Sequence, residues 1–439
     1  MKINIPETSQ ERVVIIGGGF AGLAVARELA DSDYQVVLLD RNNYHQFQPL
    51  FYQVAMSGLE PSSIVFPFRK LFRSHPNVYF RVAEVEKIEA DEQRLLTNLG
   101  HCNYSHLIIA IGADTNFYGQ KEIERHALPM KSVSEALFLR NAILSDYEKA
   151  LSVPDFEERQ GLIDIVIVGG GPTGVEMAGA LAEMRHNILP KDYRELDTQE
   201  IDIYLIQGAD KVLFGMSEES SDKALAYLEN MGVQVRLKTM VTGYDGEWVS
   251  LSNGERIRSR KVIWAAGITG NTLPGLPDEA WTHGHRLAVD RHSRLLEQDN
   301  IYAIGDIAYM EEEAFPKGHP QVAQVAIQQG KQLARNLLRQ QKGKAWEDFS
   351  YRDKGSMATV GRNRAVVDLP RLSFQGFMAW AVWLLVHLFA ILGTKNKIFV
   401  FINWVWGYIT YDQSLRLIIR PKGSREMPIP ETAESEDQR

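Results

Sequence analysis

The sequence predicts an α/β fold of two doubly wound domains, the second inserted in the first, followed by an apolar, amphipathic helical region on the C-terminal side. Three observations predict it. An apolar strand, a glycine turn and a helix-compatible run recur at Arg12–Asp40 and at Asp164–Gln207. Strand-like runs suited to the first unit, Leu107–Ile111 and Ile301–Ala308, lie on either side of the second. Residues Phe374–Tyr411 contain no acid, only Lys395 and Lys397 as formal charges, and four of the eight tryptophans.

Length and composition agree. At 439 residues the chain holds about two to four folded units, and 45% hydrophobic with 24% charged residues is the balance of a globular protein. With 48 basic and 56 acidic residues the net charge is −8, which argues against nucleic acid as a partner. Cys102 is the only cysteine, so one copy of the chain can form no disulfide, four-thiolate cluster or dithiol redox pair. No metal site is predicted. The opening MKINIPETSQER has no apolar stretch before a strand begins at Val13, and no secretory signal is expected.

Along the chain, VVIIGGG (Val13–Gly19) and QVVLLD frame the first strand–helix–strand unit, and DIVIVGGG (Asp164–Gly171) and IDIYLIQ frame the second, which carries an insertion around His186–Thr198. The stretch from Lys87 to Ala113 reads as a meander ending in the buried Leu107–Ile111 strand, and VIWAAGI (Val262–Ile268) holds the matching place after the second unit. Junctions near Glu157–Leu162 and Gly284–Asp290 give residues 1–160 and 286–350 to the first domain and 161–285 to the second. A helix follows over Lys331–Gln341. Residues 351–420 form the C-terminal region, in which Phe374–Leu392 and Ile398–Tyr411 are apolar elements joined by GTKNK, and residues 421–439 a disordered tail.

Gly17, Gly19 and Gly22 satisfy GxGxxG directly after a strand, and Asp40 closes the next strand. The first glycine allows the turn, the second lets backbone approach a pyrophosphate, and the third lets helix pack on strand, with phosphates at the helix N-terminus. Asp40 can then accept from ribose hydroxyls. Gly169, Gly171 and Gly174 repeat the motif, and two Rossmann-like dinucleotide sites in one chain suggest a tightly held flavin and a diffusible nicotinamide exchanging a hydride. Where the first unit has Asp40, the second has Gln207, a neutral amide that does not repel a 2′-phosphate; Lys211 would attract that phosphate and Asp210 would oppose it. Glu176, in the first turn of the second unit's helix, is either a carboxylate favoured by the helix dipole or a group facing nicotinamide and flavin that relays protons. Asp306 ends an apolar strand and is placed either to hold ribityl hydroxyls or to cap a helix.

These residues resemble the two-dinucleotide-binding-domain flavoproteins over roughly residues 10 to 420. The disulfide reductases of that superfamily carry a cysteine pair in the region corresponding to Asn42–Gly58, which here has none. That region instead resembles the type II NADH dehydrogenases, single-subunit NADH:quinone oxidoreductases, in the pattern HxFxPLxYQVA (His45–Ala55); a second block, AQVAIQQG (Ala323–Gly330), resembles their quinone-site signature, and the tryptophan-rich C-terminal side is the third likeness. The resemblance implies that Gly17, Gly18, Gly19, Phe20, Ala21, Gly22, Asp40, Arg41, Val85, Gly112, Asp306 and Ala323 contact FAD. It implies that Gly169, Gly171, Gly174, Glu176, Gln207 and Gly267 face the nicotinamide nucleotide, NADH with NADPH also admissible given Gln207. Gln324 and Gln328, four apart and so on one helical face, would lie near quinone headgroup and flavin ring, their alternative being polar groups on a helix packed against the sheet. A respiratory enzyme that passes two electrons to a membrane quinone without pumping protons is the function implied. The alternatives are an NAD(P)H oxidase, a ferredoxin-type reductase or a slow membrane redox sensor.

Phe374–Leu392 spans 19 residues, close to the ~20 that cross a bilayer, but the following element is shorter, and Trp380, Trp383 and Trp404 fall inside the elements although tryptophan prefers the interface. Arg362, Arg364 and Arg371 before the pair, and Arg416, Arg420, Lys422 and Arg425 after it, suit anionic headgroups. Helices lying in one leaflet are expected, peripheral on the cytoplasmic face of the inner membrane. A homodimer is expected as well, since an exposed apolar pair would otherwise aggregate, and a buried dimer core is the alternative. His387 is either a hydrogen-bonded structural residue or a polar wall of a quinone tunnel.

Overall fold

The computed structural model describes residues 2–412 and 415–419. Its first sheet is wholly parallel, with strands Val78–Val82, Gln35–Asp40, Arg12–Ile16, His106–Ile109 and Ile301–Ala303 side by side. Arg12–Ile16 is buried along its whole length because helices pack on one face, against Val13 and Ile15, and a small antiparallel sheet on the other, against Val14 and Ile16, which is why it reads as an unbroken apolar run. Ile301–Ala303 enters this sheet only after the chain has built the second one, so the second domain is inserted in the first. The second sheet, also parallel, runs Leu128–Pro129, Val262–Trp264, Ile165–Val168, Ile203–Ile206 and Gln234–Arg236.

Each domain adds a three-stranded antiparallel meander, Val85–Glu89, Arg94–Thr97 and Gly100–Asn103 in the first and Val241–Tyr244, Trp248–Leu251 and Arg256–Arg258 in the second. The two crossings between domains, Ala113–Thr115 and Ile268–Gly270, pair with each other as an antiparallel ribbon. The region around Glu157–Leu162 is a helix, Phe156–Ile163, N-capped by Asp155. Gly284–Asp290 contains the strand Arg286–Ala288, which pairs with Ala308–Tyr309. Helix Ala323–Gln341 begins a full two turns before the expected Lys331 and lies across helix Phe20–Glu28; a Cβ at Gly330 would overlap the Ala21 carbonyl oxygen, so glycine sets the closeness of the crossing.

The C-terminal region departs most from expectation. Residues Ser356–Thr359, Ala365–Leu369 and Leu372–Gln375 form a three-stranded antiparallel sheet where the sequence suggested only a lead-in. Phe374 and Gln375 belong to its last strand. Gly376, at φ +81°, breaks that strand, and the helix starts at Phe377 and ends at Ala390. Gly393, at φ +82°, makes the next turn, and the residues taken as a linker form the first turn of helix Thr394–Thr410. At 14 residues the first helix is about 21 Å long, well short of a ~30 Å hydrocarbon layer. No helix among the described residues is long and apolar enough to cross a membrane.

The outward faces of this pair are apolar: Phe377, Met378, Leu385 and Phe389 on the first helix, and Phe399, Phe401, Ile402, Trp406 and Ile409 on the second, are all more than half exposed or close to it. The tryptophans divide differently from the interfacial placement expected. Trp383 and Trp404 point inward, and only Trp406 of the four is well exposed. Of the flanking basic residues, Arg362 lies over the Tyr408 and Tyr411 rings and Arg416 pairs with Asp192 and Asp412, so neither is free for headgroups. Arg420, Lys422, Arg425 and the expected disordered tail lie outside the described residues.

Candidate active site

The two glycine turns are near copies. Gly17 and Gly169 stand at φ +97° and +110°, and a Cβ on either would overlap a carbonyl oxygen of the neighbouring strand end, Ala110 in one domain and Ala265 in the other. A Cβ on Gly22 would overlap the Gly17 carbonyl oxygen, and one on Gly174 the Gly169 carbonyl oxygen. Gly19 and Gly171, by contrast, have open space where a Cβ would point. Each is the N-cap of a helix that no side chain caps. Uncapped main-chain N–H groups facing open space at a helix N-terminus are what a pyrophosphate requires, so both turns fit a dinucleotide.

Around the first turn, Asp40 Oδ2 accepts from Gly18 N at 2.6 Å and Oδ1 from Asn42 N at 2.7 Å. Burial raises its carboxyl, while those two N–H donors pull it back. His45, the first residue of the HxFxPLxYQVA stretch, is buried with Nδ1 3.0 Å from the Gly18 carbonyl oxygen, its ring edge-on to Phe20. It buttresses the turn. Ala21 is buried, Phe20 half-buried and Arg41 exposed. Val85 opens the meander strand, and Gly112, at φ +69°, sits at the interdomain ribbon with its carbonyl accepting from Asn271 N. Asp306 is raised by burial, against the pull of Lys131 and Arg286. Its turn is held by Gln329, whose Oε1 accepts from Gly305 N at 2.8 Å, and by Gln321, which donates to the Asp306 carbonyl. Ala323 begins the helix that follows.

In the second domain Gln207 repeats the Asp40 arrangement with an amide: Oε1 accepts from Gly170 N at 2.9 Å and Nε2 donates to the Lys211 carbonyl at 3.3 Å. Gly267, at φ +144°, closes against the Tyr118 hydroxyl side.

A cavity of about 170 Å³ lies where the helix Pro172–Asn187, the short helix Phe51–Ala55, the Thr359–Arg362 turn and the two C-terminal helices meet. Glu176 lines it. Its Oε1 accepts from Trp383 Nε1 at 3.2 Å and from Thr359 N at 3.4 Å, and among the described residues no cation pairs with it. Burial pushes this carboxyl up to about 8, the two donors lowering it only in part. Trp404 Nε1 donates to Gln53 Oε1 at 2.8 Å, and Gln53 Nε2 donates to the Tyr52 hydroxyl at 2.9 Å. Glu183, two turns beyond Glu176 on the same helix, accepts from the Arg362 main-chain N–H.

Gln324, Gln328 and His387 each take the structural alternative left open for them in having partners within the protein. Gln324 and Gln328 do share a helical face, but both amides grip main chain rather than the cavity: Gln324 Nε2 donates to the Gly355 carbonyl at 3.0 Å and Oε1 accepts from Lys354 N, while Gln328 does the same with Arg352. They fasten the segment that leads into Ser356–Thr359, and so set the Thr359 N–H that meets Glu176. His387 stacks on Trp383 with ring centroids 3.9 Å apart, and its Nδ1 bonds the Trp383 carbonyl. Burial holds it down to about 4, so it is neutral at physiological pH and acts as a structural residue behind the indole. The sequence reading missed Tyr52, Glu183, Trp383 and Gln329. The last was adjacent to a highlighted residue, and its 1% exposure marks it as the buried member of the block.

The pattern of the pyridine nucleotide-disulphide oxidoreductases matches residues 11–330, and that of the NDH2 C-terminal domain residues 354–410. Over 421 residues the chain is 35% identical to the type II NADH:quinone oxidoreductase Ndh of Mycobacterium tuberculosis, with 91% of this chain and 89% of that protein covered. The chain belongs to the type II NADH:quinone oxidoreductases. It is also 26% identical to the mitochondrial internal alternative NAD(P)H-ubiquinone oxidoreductase of Arabidopsis thaliana, over 92% of this chain and 85% of that one. The NDH2 structure from Plasmodium falciparum in complex with NADH superimposes with a TM-score of 0.85 at 22% identity, covering 94% of this chain and all of that one, a likeness of fold. As a type II NADH:quinone oxidoreductase the chain is a flavoenzyme without the thiol pair of its disulphide-reducing cousins, its one cysteine, Cys102, being buried and free.

Proposed function

We propose that the protein takes a hydride from NADH, and also from NADPH, and passes two electrons through FAD to a membrane quinone without moving protons across the bilayer. When bound, the flavin supplies the step that links a hydride donor to a quinone. Gly17, Gly18, Gly19, Gly22 and Asp40, with Asp306, would hold FAD, and Gly169, Gly171, Gly174 and Gln207 the nicotinamide nucleotide. The observation that carries the reading is Glu176: a buried, unpaired carboxyl at the head of the second domain's helix, opening on a cavity walled by the C-terminal helices. Protonated at neutral pH, it can give a proton to a reduced acceptor and take one back. Gln324 and Gln328 act through the segment they fasten, and His387 through Trp383.

The outward apolar faces of the C-terminal helices support attachment in one leaflet, on the cytoplasmic side where nicotinamide nucleotides are held, and pairing into a homodimer would cover apolar surface left over. To test the reading, the flavin is reduced anaerobically with NADH and mixed with a water-soluble quinone or with oxygen. Reoxidation by quinone at least tenfold faster than by oxygen is expected; equal rates would make the protein an oxidase.

Nucleotide choice is tested at Gln207. A carboxylate can hold the Gly170 N–H as Asp40 holds that of Gly18, so Gln207→Glu keeps the turn while setting a negative charge where a 2′-phosphate comes. The NADPH-to-NADH ratio of kcat/KM is expected to fall at least tenfold. An unchanged ratio would remove Gln207 from nucleotide selection.

A further inference from the structure

We infer that Glu183 feeds protons from solvent to Glu176 along the cavity, with the Tyr52 hydroxyl and cavity water between the two carboxyls. The inference rests on the quinone-reducing reading. Reducing a quinone to a quinol takes two electrons and two protons; a hydride carries both electrons and one proton, so each turnover draws one further proton from water. A route for it must reach a buried site.

Glu176 and Glu183 lie seven residues apart on one face of the helix Pro172–Asn187, about 10.5 Å along its axis. That is too far for direct transfer. Tyr52 stands within electrostatic reach of both: each carboxylate, after burial itself, opposes ionisation of its phenol. Its hydroxyl oxygen accepts from Gln53, and its own hydrogen has no acceptor among the described residues, leaving it free to donate into the cavity. Tyr52, Glu176 and Glu183 all line the same cavity, whose 170 Å³ admits several waters with polar groups to bind them. Tyr411 and Asp412, both exposed, line it too and mark its solvent side.

In one passage the Glu183 O–H bond breaks toward a bridging water or Tyr52, the Tyr52 hydrogen moves toward Glu176, and solvent restores the proton on Glu183. The charged and titratable groups around Glu183 suit a group that changes protonation: Arg362 and Arg364 face it from the hairpin and favour its ionised form, while burial, the stronger influence, favours the neutral one. Tyr52 faces it from the Phe51–Ala55 helix and Asp412 lines the cavity from beyond the last helix.

Glu183→Gln separates this role from a structural one, since an amide oxygen still accepts the Arg362 N–H. With full-length protein in detergent, proton uptake from the medium is followed by an indicator dye while NADH-reduced flavin is reoxidised by a water-soluble quinone. The expected result is uptake and reoxidation both slowed at least tenfold in Glu183→Gln, with Glu183→Ala accelerated by added formate. Uptake at the wild-type rate in Glu183→Gln overturns the inference, as does slowing in Glu183→Ala that formate leaves untouched. If the wild-type flavin is not reoxidised by quinone at all, the quinone-reducing reading falls and this inference with it, a failure seen before any variant is compared.

Discussion

Glu176→Gln is expected to lower quinone turnover by about 10²- to 10⁴-fold, the usual worth of a positioned acid–base group, and at the same time to stabilise the fold. The amide oxygen still accepts from Trp383 Nε1 and the Thr359 N–H, so the loss is of the proton and not of the packing. In the unfolded chain this carboxyl ionises near 4.5; in the fold, burial holds the proton on until about pH 8. Unfolding therefore releases a proton anywhere between those values, and stability declines as pH rises through that window. At pH 7 the decline amounts to roughly 3 kcal/mol. The variant, with nothing to ionise, should melt a few degrees higher than wild type at pH 7 and above, and at the same temperature below about pH 4. Wild-type turnover should also fall above about pH 8 as Glu176 ionises, and that alkaline limb should vanish from the residual activity of the variant. Full turnover in Glu176→Gln would take this residue out of the chemistry.

Gly22→Ala and Gly174→Ala make the same stereochemical change in the two domains and are expected to give different losses. Each new methyl group overlaps the carbonyl oxygen of the first glycine of its own turn, pushing helix from strand and spoiling the N–H cradle. Gly22→Ala should purify colourless, with more than a tenfold loss of bound flavin. Gly174→Ala should keep its flavin, identified as FAD after release by denaturation, yet show flavin reduction by NADH slowed at least a hundredfold at a fixed nucleotide concentration. Bleached protein from Gly174→Ala, or yellow and NADH-refractory protein from Gly22→Ala, would reverse the assignment of the two domains. Loss of flavin from both would mean that the domains cannot be perturbed separately.

What was legible beforehand was what local stereochemistry dictates. The glycine turns declare themselves because no other residue fits Gly17 or Gly169; Asp40 stands at a distance set by one helix and one strand, and Gln207 holds the same strand end once the His186–Thr198 insertion is passed. Glu176 was visible for the same reason, two residues past Gly174. Its surroundings were not. Trp383 reaches it across more than two hundred residues of chain, and that meeting depends on a hairpin, Ser356–Gln375, whose short strands looked like connecting sequence beside the apolar runs that follow. Gly376 and Gly393 set where those helices begin; the turn at Gly393 was read from GTKNK, but Gly376 was overlooked. At Gln324 and Gln328 the shared helical face was readable, but which main-chain groups would arrive opposite it was decided by the fold of residues 352–355.

The two indoles that turn inward from the C-terminal helices bear on whether this catalyst can do without those helices. In many modular enzymes a terminal helical segment is detachable, and clipping it releases a working domain. Here Trp383 and Trp404 donate to Glu176 and to the Gln53–Tyr52 pair, so these helices are also a side of the cavity that holds Glu176. Severing residues 377–410 would flood Glu176 with water and return its carboxyl to ordinary acidity. A version trimmed of these two helices cannot therefore keep the cavity around Glu176 intact: they are part of its wall.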